Sequence, residues 1–253
     1  MRARMSRRSI ASGTKWDSII QKRPVADIIK DRLPRTVEIL GLSIMFSLML
    51  AIPIGIVSAV RQYSFIDNVV TVFSFVGIAF PSFFLAFLLI LIFAVRLHWL
   101  PTQGAQTVGQ PASLLDHIKH LILPVMTLTL IRTANWSRYL RSSMLEVLRQ
   151  DYVRTAHAKG LSERIVLFRH AFRNAVMPLI TLFGLSLPDL VAGAIVTEQV
   201  FSWNGLGQLI VTSAGKRDTP VVLALTLMSG AAVIIGNLLA DIGYLIVDPR
   251  IKA

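Results

Sequence analysis

The chain has 253 residues, of which 54% are hydrophobic and only 16% charged, with a mean hydropathy of +0.63. Soluble domains carry about 25% charged residues, so this composition excludes an ordinary water-soluble globule and indicates a bilayer protein. The formal charge of +12 accompanies long apolar runs and reads as positive-inside bias rather than a nucleic-acid footprint, and the lack of cysteine excludes disulfides and thiol chemistry.

The N-terminal stretch MRARMSRRSIASGTKWDS is basic, and no apolar run follows it as a secretory signal would require. Beyond it, a spanning helix needs about 20 apolar residues, because about 30 Å of hydrocarbon is crossed at about 1.5 Å per residue. Residues 39–60 carry no charge and suffice. Residues 69–95 are also uncharged and longer, with a kink predicted at Pro81. Residues 121–140 form a weaker third run, interrupted by Arg132. Residues 175–197 hold one charge, Asp189, and residues 219–240 hold none. Membrane β-strands would alternate in polarity over shorter segments. The predicted fold is therefore all-α, a polytopic membrane protein with about five transmembrane helices.

The connections differ in kind. Residues 96–120 and 201–218 contain glycines, and the first also prolines, so both read as irregular loops. Residues 142–174 have helix formers, one glycine and no proline, which predicts helix. Nine Lys and Arg lie between Arg132 and Asn174, against two in each irregular loop. That asymmetry predicts a cytoplasmic middle loop and C-terminus. The first 35 residues hold ten more, yet three spans separate them from the middle loop, which puts two basic segments on opposite faces. Either the third span is miscounted or an upstream span is missing.

No phosphate-binding loop, metalloprotease motif or nucleophile elbow is present, so the chain does not read as an enzyme and no catalytic residue is assigned. His117 and His120 stand one turn apart outside a recognised metal-site spacing, and no metal is assigned. Asp189 is the most costly residue, since a carboxylate at mid-span costs about 2.5–3.5 kcal/mol on insertion scales. It reads either as a cavity-facing residue or as a helix-packing contact, and Arg132 carries the same ambiguity. Asp189 and Asn135 are the candidate translocation path.

The stretch YVRTAHAKGLSERIVLFRHAFRNAVMP, from Tyr152 to Pro178, is the most informative. Gly160 suits a left-handed helix end and Ser162 a cap for the next helix. Beyond the break, Ile165, Phe168, Phe172 and Val176 fall on one predicted apolar face. Before it, Thr155, Ala156, Ala158 and Gly160 are small, which suits a slim helix seated in a partner's groove; a helix resting on anionic lipid is the alternative.

This stretch resembles the coupling loop of the membrane subunits of ABC importers, within the dipeptide/oligopeptide/nickel permease family. RSSMLEVL, DYVRTAHAKGL, RHAFRNAVMP, TEQVFSWNGLG, RDTPVV and NLLADIGYLIVDPRI resemble the family's segments in order. His157 and Asn204 depart from the usual Arg and Pro. The resemblance implies a type-1 permease domain over 36–253 with a family core of six spans, the basic segment 1–35 being the remnant of an outer loop after a lost first span. It implies that Asp151, Arg154, Thr155, Ala156, Ala158, Lys159, Gly160 and Leu161 couple to an ATPase. It also implies a homologous second permease, two cytoplasmic ATPase subunits that use ATP and Mg, and an extracytoplasmic solute-binding protein, in a bacterial or archaeal cell membrane. The chain itself would bind no cofactor and no nucleic acid. The implied solute is a dipeptide or oligopeptide, with nickel or another small solute as the alternative. An ATP-independent secondary transporter and a lipid-bound scaffold are the rivals from other classes.

Overall fold

The computed structural model describes residues 16–107, 109, 111, 113–189 and 194–247. Three helices are long and apolar enough to cross a membrane: α1 (Val25–Val60), α4 (Leu114–Leu148) and α11 (Thr219–Val247). Two bent pairs raise the count to as many as five spans.

The α1 and α4 helices are the centre of the molecule and run parallel. Contacts climb both in step, from Glu38 and His117, through Ser47 and Thr129, to Gly55 and Leu140. At Gly55 a Cβ would meet the Leu140 Cβ at 2.9 Å and the Ser137 carbonyl at 3.0 Å, so the missing side chain sets the distance between helices. Buried hydroxyls at Ser43, Ser47, Thr127 and Thr133 line these helices. Small polar residues suit a membrane interface, where close approach and local hydrogen bonds replace the hydrophobic drive.

Between them, α2 (Phe65–Ala79) runs back along α4, with Asp67 near Arg141, Ser74 near Ser137 and Gly77 against Ala134. Ser64 caps α2 by accepting from the Asp67 N–H at 3.3 Å. The predicted kink at Pro81 is a turn of 106°. Phe80 is driven to the extended region by the proline after it, and Pro81 has no N–H to continue the ladder. α3 (Ser82–Leu89) follows and passes into a π-helical turn at Ile90–Arg96. Ala86 and Leu89 there pack with Leu123 of α4 and Phe201. Residues 69–95 therefore form a broken span rather than one kinked helix.

After α4 come the short α5 (Asp151–Ala158), α6 (Glu163–Ile165), a π-helical turn (Val166–Ala171), α7 (Phe172–Ala175) and α8 (Met177–Ser186). The predicted apolar face holds only in its second half, where Phe172 and Val176 are half-buried against the core. Ile165 and Phe168 are 44% and 52% exposed, while Val166, Ala171, Ala175 and Leu179 are buried. The π turn inserts one residue, so the buried stripe advances by five and then by fours. The predicted fourth span, 175–197, includes residues 190–193, which lie outside the described residues; the bend observed here is 45° between Glu163–Ala175 and Met177–Ser186. α8 ends at Ser186, Pro188 lacks the N–H to extend it, and α9 (Ile195–Val200) starts anew. α8 packs antiparallel on α11. An added Cβ at Gly236 would sit 2.4 Å from the Gly184 carbonyl, and Thr181 bonds Tyr244.

The two ends of the bundle differ. At one lie the C-termini of α1 and α4 with α5 to α7. At the other lie residues 97–107, α9, the loop after it and α10 (Leu206–Gly215), joined by the Gly104 N–H to Phe201 carbonyl bond of 2.9 Å. The segment before α1 belongs to this far end, because the Asp218 carboxylate accepts from the Ser18 hydroxyl and from the Ile19 N–H at 3.1 Å. The described part of the basic N-terminal segment, from residue 16 on, thus lies at the opposite end from α5, and the conflict in the charge pattern stands.

Candidate functional site: the α5 segment and the mid-membrane ion pair

α5 follows Gln150 in extended conformation, with Asp151 in its first turn, where a carboxylate suits the positive helix end. It closes in a Schellman motif. The Leu161 N–H reaches the Ala156 carbonyl at 3.4 Å and the Gly160 N–H the His157 carbonyl at 2.9 Å, with Gly160 at φ +74°. Nothing lies within 4 Å of the position of a Gly160 Cβ, so the glycine serves backbone conformation alone. Ser162 holds the N-cap position of α6, but its side chain makes no capping bond.

Val153 and Ala156 are buried against Val166, with Val147 and Leu148 of α4 packed beside them. Asp151, Arg154, Thr155, Ala158, Lys159, Gly160 and Leu161 are exposed. Seven of the eight predicted coupling residues thus share an open surface, and Ala156 faces inward. The Asn174 amide donates to the Tyr152 hydroxyl at 2.8 Å and ties α5 to α7. The Arg154–Asp151 pair at 3.5 Å is solvent-exposed and contributes little.

Behind α5 lies a site that sequence reasoning missed. Asp67 is 2% exposed and takes a bidentate bond from Arg141, Nε at 2.6 Å and Nη2 at 2.7 Å. It also accepts from the Ser58 hydroxyl and from the Tyr63 N–H at 2.9 Å. One carboxylate therefore joins the ends of α1, α2 and α4, seven residues before α4 ends. Buried charges persist only when paired and fully hydrogen-bonded, and Asp67 meets that condition. The sequence signal was an Asp in the first turn of a capped helix, which is ordinary by itself.

At mid-bundle the two costly charges meet each other. Arg132 donates to Asp189 Oδ2 at 3.0 Å and to the Ser186 hydroxyl at 3.0 Å, joining α4 to the end of α8. The Arg132 side chain is 14% exposed and that of Asp189 50%. Along α4, Arg132 lies about 22 Å from His117 and about 14 Å from Arg141, at about 1.5 Å per residue. Asn135, one turn further, is half-buried and donates to the Ile131 carbonyl at 3.3 Å. Asn135 and Asp189 are not bonded to each other; Arg132 is the partner of Asp189.

The far end is built round Glu198, which is fully buried. It accepts from the Thr36 hydroxyl at 2.8 Å and from the Gln208 N–H at 2.9 Å, while Thr36 accepts from the Leu206 N–H at 2.7 Å. Two distant side chains thus satisfy the orphan N–H groups of α10. Burial pushes the Glu198 carboxyl above its ordinary value, and the hydrogen bonds it accepts oppose that shift. Trp203 is fully buried and donates from its indole to the Arg35 carbonyl at 3.0 Å. His117 bonds Glu38 at 2.7 Å and the Ala105 carbonyl at 2.9 Å, and His120 bonds the Asp116 carbonyl at 2.8 Å. His117 thus ties α4 to α1 and to the loop before α4, whereas His120 bonds within its own helix. Among the described residues, no group of three or more His, Asp or Glu could hold a metal.

A helical bundle with broken spans, intramembrane charges joined across helices and an exposed helix–Gly–helix at one end defines a membrane transport subunit. Residues 51–253 match the family model described as the binding-protein-dependent transport system inner membrane component, and the chain belongs to that family. It is 47% identical to the oligopeptide transport system permease protein AppB of Bacillus subtilis, over 96% of this chain and 78% of that one. A putative peptide permease of Brucella suis is 42% identical over 90% of this chain and 72% of its own length. The glutathione transport system permease protein GsiC of Escherichia coli is 39% identical over 93% of this chain and 74% of its own length. In fold the chain is similar to the MetNI methionine ABC transporter, with a TM-score of 0.62 at 18% identity over 87% of this chain and 94% of that one. It is an inner-membrane, multi-pass ABC permease, a transport component rather than a catalytic one.

Proposed function

We propose that the chain forms the translocation path for dipeptides or oligopeptides in an ABC importer, and that the exposed surface of α5 docks on an ATPase subunit. The peptide assignment rests on relatives at 39–47% identity that carry peptide or glutathione transport in their names. Docking rests on the exposure of Asp151, Arg154, Thr155, Ala158, Lys159, Gly160 and Leu161 on a short helix whose inner side is fixed by Val153 and Ala156. Such a helix transmits displacement because Val153 and Ala156 bind it to α4, and Tyr152 binds it to α7.

ATP and Mg belong to the ATPase subunits in this reading. A second, homologous permease faces this one, and a solute-binding protein delivers substrate at the far end. The α5 end is cytoplasmic. Asp189 and Asn135 line the path, with Arg132 holding Asp189. Co-purification tests the docking. The wild-type chain, co-expressed with its ATPases, retains them through detergent extraction. Thr155→Trp and Ala158→Trp, which enlarge the open surface without touching the core, release them. Retention of both ATPases by these variants contradicts the reading.

A further inference from the structure

We infer that Asp189 is a mid-membrane transit site for the free α-ammonium group of the transported peptide, with Arg132 and Ser186 as its positioning residues. This rests on the peptide-importer reading above and names the part of the substrate that the path recognises.

The geometry is specific. Arg132 Nη2 holds Asp189 Oδ2 at 3.0 Å, and its Nη1 holds the Ser186 hydroxyl at 3.0 Å. The guanidinium is largely buried, whereas the carboxylate is half exposed. One oxygen, Oδ2, is therefore fixed, and the other, Oδ1, has no partner among the described residues. Hydrocarbon offers no donor to an open carboxylate oxygen, and a charge facing lipid at mid-depth is costly. The open side therefore faces water in the assembled transporter.

The identity of the ligand follows from charge. Arg132 already neutralises Asp189 locally, so the pair does not act as a strong cation trap. It offers one acceptor of fixed position and ionisation. A peptide of any sequence presents a terminal ammonium, which has three donors and no acceptor. Its carboxylate end would meet the negative charge of Asp189 first, and the guanidinium that could receive it is largely buried and already engaged with Asp189 and Ser186. A path that must pass many side chains gains by gripping the one cationic group that every unblocked peptide shares. A weakened charge also releases the peptide readily.

Two measurements test this on the complete permease–ATPase complex. The first uses saturation-transfer NMR in detergent, without the binding protein, with dialanine and N-acetyl-dialanine as probes. Wild type favours dialanine by about tenfold, the scale of one charge-assisted hydrogen bond, and Asp189→Asn removes the preference. A preference unchanged in Asp189→Asn, or absent in wild type, overturns the inference. The second compares dialanine uptake in proteoliposomes with the binding protein present. If the pair only braces α4 against α8, or only seats a neighbouring subunit, Arg132→Gln/Asp189→Asn recovers wild-type uptake because no orphan charge remains. That recovery also overturns the inference. Uptake staying at least about tenfold low in the double variant, with ATPases still bound, is the expected result. Failure of the wild-type complex to import dialanine or any longer peptide strikes instead at the peptide reading itself.

Discussion

Glu198 shows how a single residue can govern one end of the bundle. Its carboxyl is pushed upward by burial, so the protonated form is favoured by folding. The sign follows: the stabilisation is fully present below the ordinary glutamate value and is lost as pH rises through the raised one. Glu198→Gln, which cannot ionise, lacks this dependence. Thermal unfolding in detergent from pH 4 upward should show wild type losing stability relative to the variant, and parallel curves would contradict it. Gly205 makes a second prediction. A Cβ there would lie 2.4 Å from Thr36 Oγ1 and 2.5 Å from Glu198 Cδ. Gly205→Ala therefore costs about 1–3 kcal/mol by overpacking, measurable by the same unfolding assay. Neither residue was legible in the sequence as more than a motif letter, because Thr36 and Glu198 lie 162 residues apart.

At the scale of elements, the α5 end depends on two devices of different visibility. The helix–Gly–helix is local, so Gly160 and the exposed face could be read from residues 152–162 alone. Gly160→Ala places a side chain at φ +74° with no steric contact, and its cost of about 1–2 kcal/mol is conformational. Ile165 and Phe168 were misplaced because a π turn has no clear sequence signature, and one inserted residue shifts the buried stripe there, while Phe172 and Val176 still pack on the core. The Asp67–Arg141 tie was invisible for another reason: its groups are 74 residues apart. Asp67→Asn leaves Arg141 without its counter-charge at a buried site and should destabilise the α5 end by about 3–5 kcal/mol. Arg141→Met added to it should recover much of that loss. Hydrogen exchange of residues 58–67 and 141–158 would measure both. Exchange in Asp67→Asn matching wild type would show that the tie does not hold these helices.

For the whole molecule, the apolar runs predicted the spans at 39–60, 121–140 and 219–240, because hydropathy senses length and charge. They overstated the continuity of residues 69–95. A broken span and a straight one have the same composition, and only the 106° turn at Phe80–Pro81 distinguishes them. Asp218 holds Ser18 and Ile19 to the far end, so the two basic segments conflict with a single positive-inside face here as they do in the sequence. The central claim joins these ends. In the proposed reading, nucleotide-driven motion enters at α5 and peptide crosses between the helices. Its most direct test is uptake of a labelled oligopeptide into proteoliposomes holding this chain, its partner permease, the ATPases and the binding protein. Wild type should accumulate peptide only with ATP. Ala158→Trp, which changes nothing in the spans, should abolish uptake while leaving thermal stability unchanged. ATP-independent uptake by wild type, or undiminished uptake by Ala158→Trp, would contradict the account.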